Sequence, residues 1–139
     1  MNNNKDGGFS LLAAYIGVFG TPQNRTSSQI AMTAPVITKA EKDTISMQFI
    51  LPEEYASNEE APGPVDERVR VVEEGERRYG VVGFSGVASE EEVERKVRVL
   101  KGWLERDGFK VVGEFVLARF NPPWTLPMFR TNEVMIPVE

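Results

Sequence analysis

The chain has 139 residues, a formal net charge of −5 at neutral pH, and neither cysteine nor histidine. That length supports one domain with a real core. The missing residue types exclude disulfides, a thiolate nucleophile, cysteine-ligated metal, and the commonest neutral-pH base and haem ligand.

Acids and bases are interleaved, as in Glu92-Val93-Glu94-Arg95-Lys96, and the balance is acidic, which argues against nucleic acid as a partner. No apolar run approaches the ~20 residues of a membrane span. Residues 1–7 read as a polar tail without an apolar signal core, so a soluble cytoplasmic protein is expected.

Gly8 to Ile16 has the period of a short helix, with Phe9, Leu12, Ala13 and Ile16 on one face, Asp6 as a candidate cap and Gly17 at its end. Ile30 to Thr38 reads as a β segment interrupted by Pro35, and Thr44 to Leu51 as a strand with Ile45, Met47, Phe49 and Leu51 on one face. Residues 52–66 form an acidic, proline-containing connection expected to be flexible. Arg68 to Glu73 and Arg78 to Ser85 suggest a hairpin turning at Glu74-Gly75-Glu76.

Ser89 and Glu92 have capping-box spacing at the head of the strongest helix signal, with Val93, Val97, Leu100 and Leu104 as its buried face. Glu91/Arg95 and Glu94/Arg98 are candidate ion pairs on its exposed side. Phe109 to Phe120 and Asn132 to Val138 complete the chain as strands. Two copies of helix–strand–strand emerge, the second preceded by a strand the first lacks. Between the last two strands, Pro122-Pro123-Trp124 and Pro127 make a rigid loop whose apolar side chains must enter a core or cover a ligand.

The segments Ile30-Ala31-Met32-Thr33-Ala34-Pro35-Val36 and Asn121-Pro122-Pro123-Trp124 with Arg130-Thr131-Asn132-Glu133-Val134 resemble the SOUL/haem-binding protein family. Met47-Gln48-Phe49 with Leu51-Pro52, Arg78-Tyr79-Gly80-Val81 with Phe84-Ser85-Gly86, and Asp107-Gly108-Phe109 agree in the same order, and the likeness is nearest to plant-type members. The resemblance implies an α+β fold: a twisted antiparallel β-barrel of two pseudo-symmetric repeats flanked by two helices, all within one domain. The leading strand of the first repeat is expected to be missing, which would leave an open barrel edge for self-association.

The resemblance also implies a non-enzymatic carrier or buffer that binds haem or another porphyrin non-covalently, in an apolar groove beside the first helix. The residues carried over to that site are Phe9, Leu12, Ala13, Tyr15, Ile16, Met32, Trp124, Met128 and Arg130. Ala14 stands where the family can have a lysine, and Thr125 lies near a second basic position, so Lys5 and Arg130 are the candidate propionate partners. Weak or absent axial ligation is expected, with the compartment cytoplasmic or plastid. No base, nucleophile and orienting group stand at recognisable spacing, so no catalytic residue or metal ligand is assigned. The alternatives are a protein-interaction module, a small-molecule effector-binding domain, and a hydrolase using Glu133 or Glu114.

Overall fold

The computed structural model describes residues 2–41, 43–56, 60–122 and 124–139, with the backbone alone for residues 2–7 and 41. In chain order it contains α1 (Asn2–Ile16), β1 (Val36–Glu41), β2 (Thr44–Phe49), a 3-10 turn at Glu53–Tyr55, β3 (Arg78–Ser85), α2 (Glu90–Arg106), β4 (Val116–Arg119), a 3-10 turn at Pro127–Phe129, and β5 (Thr131–Val138). The strands form one sheet in the order β2-β1-β4-β5-β3, with antiparallel pairing of β1 with β4, β4 with β5 and β5 with β3. The fold is therefore α+β, as expected, but among the described residues the sheet is not closed into a barrel: β2 and β3 are its edges. Contacts divide the residues into two compact units, Met1–Thr33 with Met47–Gly75, and Ala34–Ser46 with Glu76–Glu139.

The second unit is built on α2. Ser89 caps it by accepting a hydrogen bond from the Glu92 N–H at 3.2 Å. The apolar spacing then buries Val93, Val97, Leu100 and Leu104, the face expected from the sequence. Register gives that face its partners: Leu117 and Val82 both pair with Val134, and Gly80 pairs with Ile136. Val134, Ile136, Val138 and Leu117 close the core with the helix, each large side chain contributing roughly 1.5–3 kcal/mol by burial. The helix ion pairs form at Glu92, with Arg95 at 2.6 Å and Lys96 at 3.6 Å. Glu92 lies within reach of both the i+3 and i+4 bases, so these pairs replace the two expected from Glu91 and Glu94.

The first unit is built on α1, which starts at Asn2 rather than at the expected Gly8, so Asp6 lies inside the helix instead of capping it. The helix ends at Gly17, whose φ of +94° no β-carbon tolerates well. There the N–H groups of Gly17 and Val18 both reach the Ala13 carbonyl at 3.0 Å. Beyond it, Asn24 is 2 % exposed and fully engaged. Its Nδ2 donates to the carbonyls of Tyr15 and Ser28, each at 2.9 Å, and its Oδ1 accepts from the Ser28 N–H at 3.0 Å. Tyr15, Ile16, Ile30 and Val69 form the core, with Leu11, Leu12, Phe49, Leu51, Tyr55 and Val71 packed on it.

Three expected strands differ. Residues 30–35 are irregular and the strand begins at Val36, after the proline that cannot donate to a ladder. Only Val116–Arg119 of the long stretch 109–120 is a strand, because β1 and β5 supply ladder partners over just those residues; Val111 adds one isolated bridge to Val138. Residues 68–73 are not a strand, since among the described residues no strand pairs with their backbone.

Candidate functional site

The α1 unit contains a groove of about 340 Å³. Leu12, Tyr15 and Ile16 of α1 contribute to it, together with residues 47–51 from the end of β2 onward and residues 69–74. Tyr55 and Ala56 complete the lining. Its walls are mostly apolar because Val69 and Val71 alternate with Arg68 and Arg70, turning the valines toward the α1 core. Arg70, Glu73 and Glu74 supply the charge at the wall.

Tyr15 is 4 % exposed and its hydroxyl donates to the Pro62 carbonyl at 2.6 Å. Burial, and then the nearby Tyr55 phenol, push its pKa above the ordinary phenol value. Both effects hold it neutral and already committed as a donor, which opposes use as a phenolate iron ligand. Among the described residues no group of three or more Asp or Glu could hold a metal ion, and no helix is long and apolar enough to cross a membrane.

The structure distributes the expected site residues unevenly. Leu12, Tyr15 and Ile16 line the groove. Phe9 lies edge-on to Phe49, with ring centroids 5.5 Å apart and planes at 65°. Ala13 is fully buried in the core and Met32 is half exposed; neither lines the groove. The Lys5 side chain and Pro123 lie outside the described residues.

Trp124, Met128 and Arg130 belong to the other unit. Trp124 is 83 % and Met128 73 % exposed, and Leu126 and Phe129 are exposed as well, so this loop enters no core. Hydrogen bonds fix it: Arg130 Nε donates to the Thr125 carbonyl at 2.8 Å, and the Gly86 N–H to the Pro127 carbonyl at 3.0 Å. Glu133 pairs in register with Ala118, one residue from the Arg119–Asn132 pair, so alternation turns it to the sheet face opposite Arg119.

The wall at residues 69–74, including Arg70, is signalled in the sequence only by the alternation RVRVV, which equally fits the expected hairpin arm.

The fit to a tetrapyrrole is uneven in an informative way. The apolar walls suit a macrocycle and Arg70 suits a propionate, whereas Tyr15 is withheld from iron. A profile of the family described as SOUL heme-binding protein matches residues 1–137. No curated protein matches the chain.

Proposed function

Because the chain belongs to the SOUL heme-binding protein family, we propose that it binds haem or a related porphyrin non-covalently in the α1 groove, as a carrier or buffer rather than an enzyme. The supporting observation is the groove itself, with apolar side chains along α1, β2 and residues 69–71, and a guanidinium at the wall. Leu12, Ile16, Phe49, Leu51 and Val71 would contact the macrocycle and exclude water from it. Arg70 would pair with a propionate, taking the role sought in Lys5 and Arg130. Tyr15 would keep its bond to Pro62 and shape the floor. The bound tetrapyrrole would supply light absorption and redox chemistry of its own. Such a carrier would work in the cytoplasm or a plastid.

Parallel titrations with hemin and metal-free protoporphyrin test this reading. Saturable binding of both, with affinities within about threefold, is expected where ligation adds little. Leu12→Glu should weaken both by more than about tenfold, since it places a charge against the macrocycle. Unsaturable binding of both ligands would refute the reading.

The exposed, hydrogen-bonded loop from Trp124 to Phe129 favours a second reading, a protein-interaction module. Concentration-dependent light scattering of the wild type against a Trp124→Ser/Met128→Ser variant would reveal self-association through it.

A further inference from the structure

The connection between β4 and β5 combines an apolar tip with a backbone that is largely bonded within the second unit. Trp124, Leu126, Met128 and Phe129 are each more than half exposed. Residues 127–129 form a 3-10 turn, in which successive side chains point about 120° apart. The apolar surface therefore wraps the turn instead of lying on one face of it. Beneath it, the N–H groups of Thr125, Phe129 and Arg130 donate to the carbonyls of Pro122, Leu126 and Pro127 at 3.0, 2.9 and 3.1 Å. The Gly86 N–H also reaches the Pro127 carbonyl, and Arg130 Nε holds that of Thr125. Pro122 and Pro127 have no N–H to satisfy. Unpaired backbone groups make a loop costly to take out of water; hydrogen bonds and prolines remove much of that cost here.

Charge around the tip departs from that of the chain. The protein carries a net −5, yet no acidic residue stands between Glu114 and Glu133. Arg119 ends β4 and Arg130 immediately precedes β5, so a guanidinium lies on each arm of the connection. The two are near enough for the Arg130 charge to act on Arg119. The hairpin thus has a cationic base and an apolar end. Exposed Val87 adds to the apolar side, next to the Gly86 that bonds Pro127. Beyond Val87 the sequence turns acidic at Glu90–Glu92, the first turn of α2.

We propose that this hairpin end docks the protein on an anionic phospholipid surface, with Trp124, Leu126, Met128 and Phe129 entering the boundary between headgroups and acyl chains and the two arginines at the level of the phosphates. The wrapped shape selects the occupant. A bilayer receives an apolar turn from all sides, whereas a flat protein face would cover one side and leave the rest in water. Tryptophan suits that boundary, because its ring is apolar and its N–H is polar. The arginines supply the attraction to negative headgroups that an acidic protein otherwise lacks. One loop of this size gives shallow, reversible attachment rather than a span.

The docking loop and the α1 groove belong to different units, so this assignment does not rest on the tetrapyrrole reading. The test is co-sedimentation of the full chain, without porphyrin, with vesicles of phosphatidylcholine alone or mixed with phosphatidylglycerol. Binding to the mixed vesicles is expected to be at least about fivefold stronger and to weaken with added salt. Trp124→Ser/Met128→Ser should lose about tenfold or more, because two large apolar side chains no longer leave water. Phe19→Ser removes an aromatic of similar exposure from the first unit and should bind as the wild type does. In a Trp103→Phe background Trp124 is the sole tryptophan, and its emission should shift to the blue on vesicles and be quenched by brominated acyl chains. Equal binding to the two vesicle types, an unshifted Trp124, or equal losses in the Phe19 and Trp124/Met128 variants would overturn the proposal. Self-association through the tip with no vesicle binding would overturn it as well, in favour of the protein-interaction reading.

Discussion

Leu104 of α2 occupies the space that a side chain at Gly80 of β3 would need: a β-carbon there would lie 2.6 Å from Leu104 Cδ2 and 2.9 Å from its Cδ1. Both residues belong to the unit whose core joins α2 to the sheet. Gly80 is needed here for close approach rather than for a special φ. Leu104 is 8 % exposed and surrounded by core, so its methyl groups have little room to retreat. Gly80→Ala should therefore destabilise by about 1–3 kcal/mol through overpacking. Leu104→Ala alone should cost about 2–5 kcal/mol. In a double-mutant cycle by chemical denaturation, the two changes should cost less together than their sum. Strict additivity would show that the two residues do not press on each other.

That contact also shows which parts of the fold could be read from the sequence. Helix α2 was legible because cap, apolar stripe and length all agree, and the alternation in β3 and β5 reports burial on one face. Residues 68–73 misled for a physical reason. Their pattern records where the side chains go, with Val69 and Val71 toward the α1 core, but a strand also needs a neighbour for its backbone. The groove was half legible for the same reason: the α1 face could be read from Leu12 and Ile16, while its opposite wall required knowing that residues 70–74 have no backbone hydrogen bond among the described residues. The start of α1 failed differently, since the helix continues through Gly7 and Gly8 despite a propensity cost of roughly 1 kcal/mol each.

Asn24 ties the end of α1 to the loop that follows, and so supports the floor of the groove. Its three short hydrogen bonds to backbone groups are buried. Asn24→Leu keeps the approximate volume but leaves the Tyr15 and Ser28 groups without those partners. Losing them should destabilise by about 2–4 kcal/mol in thermal or chemical unfolding. An effect below about 0.5 kcal/mol would mean that water replaces the side chain.

Tyr15 gives the fold an alkaline limit. Burial raises its folded pKa above the ordinary phenol value, so the folded state retains the proton more tightly than the unfolded chain. The sign follows from linkage: the contribution is complete below the unfolded pKa of ~10 and is lost as pH rises through the higher folded value. Melting temperature should therefore fall more steeply above pH ~10 in the wild type than in Tyr15→Phe, which has no phenol to ionise. Tyr15→Phe should also be less stable at pH 7, because the Pro62 carbonyl loses its donor. Parallel pH profiles would remove Tyr15 from this role.

Asp66 acts at the opposite extreme. The side-chain hydrogen bonds from Arg68, and then its backbone N–H, hold the Asp66 carboxyl at about 2. A depressed carboxylate stabilises above its unfolded value and loses that contribution as pH falls through about 2. The pair is solvent-exposed, so Asp66→Asn should change stability little at pH 7 and should flatten the acid limb of the unfolding profile. NMR titration of the Asp66 carboxyl carbon gives the direct check, and a midpoint near the ordinary 3.8 would show that the Arg68 contact does not persist in solution.

Arg119 is a partly buried charge in the second unit. Its guanidinium donates to the Thr38 hydroxyl at 3.0 Å, with no carboxylate among its described partners. Burial, and then the Arg130 charge, press its pKa below the usual guanidinium value. A neutral hydroxyl acceptor, with a like charge nearby, is poor compensation for desolvation. Arg119→Met should therefore be neutral or stabilising by about 1 kcal/mol, since the long apolar stem is kept and the partly hydrated charge is removed. Thr38→Val should destabilise by about 1–2 kcal/mol when Arg119 is present, and by less in the Arg119→Met background. The cycle, followed by chemical denaturation, separates two causes. If Arg119→Met instead costs more than about 2 kcal/mol, the guanidinium is stabilised by more than the Thr38 hydroxyl, and its place in the sheet is structural rather than strained.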